Sequence, residues 1–356
     1  MSQRLFGDGT SRFMNFAAVT ADYIGTGAVH VPVFETEIMD LTKKRGTLLQ
    51  RVKAKPATGH PTRYFEKVAH TSKHQFIDPR AIDHNLDTTI DRVEHSAYIK
   101  AMVDGITFTM FDKEVTAQQG IFGNLQAQDL SEVITDMLDA QDRAVWNGTA
   151  TSLMDTTSTG KNEYCSVLTQ VTKTGTIAAN ARLSQAIIDG VAALMYNKSY
   201  RVTPTAVYMN PLDKATLDSQ EMNEKDKVKT YDVEVLPGIK ITGLMTAAGI
   251  LPIITDVYCP KGKILITDEN LLERQYVTSA TPRLFELEKS NTKTGAHDLA
   301  DRYIAVLFDT FIVRAGSYGH IVLTIDGATN TDKLDSSVVT INATTESPTT
   351  AGTTTP

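Results

Sequence analysis

Four histidines, His70, His74, His84 and His95, fall in or beside one polar stretch, residues 71–96, and His70 and His74 stand four apart. On a helix that spacing puts two imidazoles on one face, the arrangement from which many zinc sites begin. The stretch does not read as helix, so solvated loop histidines are the expectation. With Asp78, His74 and His84 would supply the acid and base of an α/β hydrolase, the enzymatic alternative that the chain offers. Asp136, Asp139 and Asp142 recur every three residues and could mimic an acid cluster, but at helical spacing they read as a solvated face. Trp146 could stack on a ligand, yet a lone tryptophan at a helix end is expected to pack beneath the following loop. Cys165 and Cys259 match neither a disulfide framework nor a paired-cysteine metal site, which fits synthesis in a reducing compartment. The triplets at Asn147, Asn197 and Asn342 matter only where glycosylation occurs. A phosphate-cradling glycine motif and a serine nucleophile elbow are both missing. The expectation is therefore no catalytic residue, no metal and no cofactor.

The composition narrows the classes further. The chain has 356 residues, 41% of them hydrophobic, enough for a sizeable core. Its 35 basic against 42 acidic residues leave a net charge of −7 without a dense basic block, which argues against specific nucleic-acid binding. Arg4 and Arg12 precede a short apolar stretch from Phe13 to Val19 that Asn15 interrupts, a poor signal peptide. Uninterrupted apolar runs such as Tyr303 to Phe308 are far shorter than the roughly 20 residues that a membrane span needs, so no membrane anchor is expected.

The elements that must position any site come next. Residues 1–33 mix glycines with scattered aromatics and read as an extended arm. Phe34, Ile38, Leu41, Leu48, Leu49 and Val52 predict a first helix that Gly46 threatens to break. Strands are predicted over Thr62 to His70 and Ala97 to Met110, with the long polar excursion 71–96 between them. The clearest helix runs from Leu130 to Val145, with Asp129 as N-cap, Glu132 as its capping-box partner and Gly148 as the stop. A second helix, Leu183 to Tyr196, carries Gly190 at a cost of about 1 kcal/mol relative to alanine. Then come a strand at Thr205 to Met209, a helix start at Pro211 and a charged surface loop over 218–232. Strands follow at Ile239 to Met245, Pro252 to Cys259, Lys263 to Thr267, Leu284 to Glu288, Tyr303 to Val313 and His320 to Ile325. Residues 329–356 read as a Thr-rich tail.

This order of parts resembles the Hong Kong 97-type major capsid fold of tailed phages and herpesviruses. "PVFETEIMDLTKKRGTLLQRV" looks like the segment that leads from the arm toward the extended loop, and "LSEVITDMLDAQDRAVWNGTA" looks like the spine helix. "LSQAIIDGVAALMYNKSYRVTPTAVYMNPLDKATL" resembles the helix, strand and asparagine-proline turn of the axial domain. "RYIAVLFDTFIVRAGSYGHIVLTI" resembles the strands that return through the peripheral domain.

The resemblance implies an α+β fold divided into a 1–33 arm, a 34–61 first helix and connection, a 62–110 extended two-stranded loop and a 111–160 peripheral domain with the spine helix. A 161–285 α/β axial domain, 286–328 closing strands and the 329–356 tail complete it. It implies a structural, non-enzymatic subunit of an icosahedral shell, built from pentamers and hexamers in the host bacterial cytoplasm and ending in the virion. Phe13, Phe16 and Tyr23 on the arm, with Lys67, Lys73, Asp78, Arg80, Asp83 and Glu94 on the loop, would contact neighbouring subunits. The short stretch before the first helix implies a separate scaffolding protein; a portal protein and a decoration or cement protein are further partners, and packaged DNA would be touched non-specifically. Lys67 and Lys73 show no local pattern for an isopeptide partner, so no covalent cross-link is expected. An encapsulin-like cellular compartment is the alternative within the same fold, and a surface adhesin with a Thr-rich stalk is one outside it.

Overall fold

The computed structural model describes residues 45–71, 76, 79–80, 89–119, 125–155, 162–179, 181–196, 202–223, 230–236, 239–287 and 300–326. In chain order the elements are α1 (Leu48–Arg51), β1 (Lys53–Pro56), β2 (Thr62–Thr71), β3 (Thr89–Ala97), β4 (Lys100–Thr109), α2 (Met110–Gln119), α3 (Leu125–Asn147), α4 (Val167–Gln170), β5 (Thr174–Ile177) and α5 (Leu183–Met195). They continue with β6 (Ala206–Met209), α6 (Pro211–Asn223), β7 (Thr230–Leu236), β8 (Ile239–Thr246), β9 (Gly249–Thr255), β10 (Lys263–Thr267), β11 (Leu272–Tyr276), β12 (Arg283–Leu287), β13 (Ala300–Val313) and β14 (His320–Ile325).

Three sheets result. The first is built around the long strand β13: β4 runs antiparallel along one edge, from Ala300 opposite Thr109 to Asp309 opposite Lys100. On the other edge lie β12 and then β11, with β1 parallel to β11. The second has seven strands in the order β5-β14-β10-β6-β9-β8-β7. The third is the antiparallel ribbon β2–β3, with Thr62 opposite Ala97 and Thr71 opposite Thr89.

Helix α3 covers one face of the first sheet because Val133 and Met137, four apart, meet Ala305 and Leu307 of β13 and Met102 and Ile106 of β4. Helix α5 lies on the seven-stranded sheet through Ile187, Val191 and Leu194 against Val207, Ile253, Ile264 and Leu323. Gly190 is explained there: a Cβ would stand 2.9 Å from Ile266 and 3.1 Å from Leu323, so its absence brings helix and sheet together. A third core joins the two large sheets. It gathers Val145 and Trp146 from α3, Tyr208 and Val322 from the seven-stranded sheet, Phe311 and Val313 from β13, and Leu48 from α1. Trp146 is thus buried, tilted against Tyr208 with centroids 6.4 Å apart.

Several expectations change. Of the predicted first helix only the turn α1 forms among the described residues; Gly46 stays outside it because its N–H is held by the Asp142 carboxylate, and residues 34–44 lie outside the described residues. The spine helix starts at Leu125, not Leu130, since Gln126, Ala127 and Gln128 favour helix; Asp129 therefore sits inside it and is no cap. Its end is as expected, with the Gly148 N–H donating to the Ala144 carbonyl at 2.8 Å.

The partner of β2 is β3, within the stretch read as a polar excursion, whereas the predicted partner strand pairs with β13 as β4. Strand β3 is exposed along residues 89–94, so it leaves no burial pattern to read. The charged stretch 218–232 holds the last turns of α6 and the start of β7. Strand β9 ends at Thr255, where Asp256 turns the chain. Strand β11, absent from the predicted strands, pairs with β12's neighbour β13 in the first sheet, as β12 does, whereas β14 lies in the seven-stranded sheet. Pairing partners distant in sequence decide this, and no local pattern reveals them.

Candidate assembly surface

Among the described residues the ribbon β2–β3 is fastened mainly at its base. Tyr64 and Ala97 pack on Ile312 and Leu153. The Thr62 hydroxyl donates to Gln275 at 2.5 Å, and Glu66 accepts the Ala315 N–H at 2.9 Å. The Tyr64 ring lies between the Arg314 guanidinium, 5.1 Å from its centroid, and the His95 ring at 5.4 Å. Burial first, then Glu66, pushes the Tyr64 hydroxyl well above the ordinary tyrosine range. Arg314 also pairs with Glu273 at 2.8 Å. Burial alone would raise the Glu273 carboxyl, but Lys55 and Arg314 outweigh it and the net shift is downward.

The ribbon also has exposed apolar side chains: Phe65 is 65% exposed and Ile90 41% on its outward face, and Val93 is 43% exposed on the inner one. Two strands without a second layer are marginal in water, so the ribbon gains most by lying on another surface. Between its inner face and the loops at Leu153, Thr169 and Tyr318 a cavity of about 510 Å³ opens, lined by Tyr64, Val93 and His95 among others.

A second apolar surface is the face of the first sheet opposite α3. Along β4, residues Met102, Asp104, Ile106 and Phe108 turn toward the helix and Ala101, Val103 and Thr107 turn away. Val103 stands opposite Val306, Ala101 opposite Phe308 and Phe285 opposite Ile304, so these residues share the open face. Val103, Phe308 and Phe285 are 58%, 44% and 43% exposed, and Arg283 lies over the Phe285 ring at 5.0 Å. Contiguous exposed apolar surface of this kind marks an interaction site.

Of the residues singled out in the sequence, Phe13, Phe16, Tyr23, Lys73, Asp78 and Asp83 lie outside the described residues, as do His74 and His84 of the hydrolase alternative. Lys67 and Arg80 are exposed, and Lys67 stands opposite Arg92 on the outward face of the ribbon beside Phe65. Glu94 is on that face too, paired with Arg63 at 3.2 Å. His95 faces Glu66 at 3.6 Å. Among the described residues no cluster of three metal-ligating side chains occurs, and no helix is long and apolar enough to cross a membrane.

The acidic repeat on α3 is a correction. Asp136 is exposed as expected, but Asp142 is buried at the joint between the sheets, and Asp139 takes the Tyr258 hydroxyl and Arg143. Gln141 on the same helix is buried beside Asp309, which Arg274 and Tyr164 hold as well. Burial pushes the Asp309 carboxyl up despite Arg274. Sequence reasoning missed Phe65, Val93, Val103, Phe285 and Phe308. One signal was available: the run Tyr303 to Phe308 is apolar on both faces of a strand, which implies two covered faces, and α3 covers one.

A family model for the SU10 major capsid protein matches residues 16–303. No curated protein matches the chain. Among solved structures, one from Gordonia phage Cozz is similar at 11% identity and a TM-score of 0.57, covering 92% of this chain and 99% of that one. The capsid of a native GTA particle is similar at 14% identity and a TM-score of 0.56, over 86% of this chain and 98% of that one. The capsid of cyanophage P-SCSP1u gives 10% identity and a TM-score of 0.56, over 86% and 97%. These likenesses show the Hong Kong 97-type α+β fold. With most of its length accounted for by the family model, the chain belongs to the SU10 major capsid protein family, the structural shell proteins of tailed phages.

Proposed function

We propose that this major capsid protein assembles through pentamers and hexamers into an icosahedral head around double-stranded DNA. The observation that carries the reading is a pair of unfinished surfaces, the outward face of the ribbon β2–β3 with Phe65 and Ile90 exposed and the open sheet face with Val103, Phe285 and Phe308. In one chain each leaves apolar area in water, at about 25 cal/mol per Å². In a closed assembly the ribbon of one copy lies on the sheet of the next and covers both. The charged residues around Phe65 (Arg63, Lys67, Arg92 and Glu94) then give register more than affinity. The N-terminal segment with Phe13, Phe16 and Tyr23 wraps a neighbour, and Lys73, Asp78, Arg80 and Asp83 extend the ribbon's contact. A net charge of −7 keeps the wall from gripping the genome, so DNA is touched non-specifically. A scaffolding protein sets curvature during assembly in the bacterial cytoplasm, a portal occupies one vertex, and a decoration protein has the outer surface available.

The test is size. The chain, expressed alone and with its scaffolding partner, is examined by light scattering and negative-stain electron microscopy. Shells, tubes or five- and six-membered rings are expected. A stable monomer of 39.0 kDa under both conditions would contradict the reading.

A further inference from the structure

Three consecutive backbone amides just before and at the start of α1 are held by carboxylates from different parts of the fold. The Gly46 N–H donates to Asp142 of α3 at 2.9 Å, and Arg45 reaches the same oxygen at 3.0 Å. The next two, Thr47 and Leu48, donate to Asp256 at 2.8 and 2.9 Å, and the Thr47 hydroxyl donates to the Thr255 carbonyl at 2.9 Å. Asp256 follows β9 of the seven-stranded sheet, whereas α3 is packed on the first sheet. Both carboxylates are buried, at 2% and 0% exposure, and Leu48 directly after them plugs the core between the sheets.

We propose that residues 45–48 act as a strap that locks the seven-stranded sheet to the spine helix. Neighbouring amides are bound to two different bodies, and hydrogen bonds of this length fail within about 1 Å of stretch. The sheet therefore cannot rotate against α3 without one carboxylate letting go. The contact needs glycine at position 46, since a Cβ there would stand 2.9 Å from the Asp142 Cβ and 3.1 Å from its Cγ, short side-chain atoms close to the helix backbone. The carboxylates are charge-assisted acceptors, the stronger kind. Burial works against the ionised Asp142 and raises its pKa, as does Asp256, while Gly46 and Arg45 oppose them. The strap belongs to the single chain, whether or not copies associate.

The test compares wild type with Gly46→Ala and Asp142→Asn in the full chain. Hydrogen exchange of the amides at 46–48 should speed by about tenfold or more in both variants, from the loss of charged acceptors or of their approach. Spin labels at exposed Thr107 of β4 and exposed Met245 of β8 should report a narrow distance distribution in wild type and a broader one in both variants, with the denaturation midpoint of each sheet kept. Unchanged exchange at 46–48, or faster exchange with an unbroadened distance, would overturn the proposal. If Asp142→Asn fails to fold, Gly46→Ala decides by the same two readouts, because it leaves every charge in place.

Discussion

The two faces of the sheet around β13 carry similar side chains and meet different ends. On one face Met102, Ile106, Ala305 and Leu307 lie under Val133 and Met137 of α3, and Met137 is 1% exposed. On the other, Val103, Phe285 and Phe308 stand in water from the same strands and the next one. Strand sequence alone does not separate them; the partner does, supplied by α3 for one face and by none of the described residues for the other. The same contrast divides the joint core, closed by residues from α1, α3 and both large sheets, from the ribbon β2–β3, which the described residues close at its base. A surface that a chain completes contributes to its own stability, whereas one left open contributes on association.

The largest effect is expected on the covered face. Met137→Ala should cost about 2–5 kcal/mol in denaturant unfolding of the chain, because a filled site becomes a cavity. A cost close to zero would mean that α3 does not close that face.

A smaller effect is expected from acid at the turn between β13 and β14. His320 is buried, its Nε2–H donates to the Arg314 carbonyl at 2.9 Å, and its Nδ1 therefore accepts the Thr267 hydroxyl at 2.6 Å. Burial lowers its pKa from 6.5 to about 4 against the pull of the Arg314 carbonyl. With the folded value below the unfolded one, this contribution is complete above about pH 6.5 and is lost as pH falls through about pH 4, amounting to about 3 kcal/mol. His320→Gln should flatten that part of the stability-against-pH curve; an unchanged curve would remove the assignment.

How far the sequence made this legible depends on the range of the contacts. Helix α5 was readable because Leu183, Ile187, Val191 and Leu194 repeat at helical spacing along one buried side. Strand β14 was readable from its apolar run, though the sheet it joins was not. Strand β3 was hidden, since its residues 89–94 are exposed and backbone pairing alone defines it. Asp142 was misread because its partner, Gly46, lies 96 residues away. A buried polar group looks like a wet one until its partner is known. Of the candidate surface, Lys67 and Glu94 were singled out and lie on the outward face of the ribbon, while Phe65, Val103, Phe285 and Phe308 were not, because an exposed apolar residue in a strand reads as core.

The smallest effect on the single chain should accompany the largest effect on association. The decisive measurement is Val103→Asp with Phe308→Asp in the full chain, followed by denaturant unfolding and by light scattering under conditions where wild type assembles. The account predicts an unfolding free energy within about 1 kcal/mol of wild type, since both sites are exposed, together with loss of assembled particles. Normal particles from the double variant would contradict it and show that the open face of the sheet is not where copies meet.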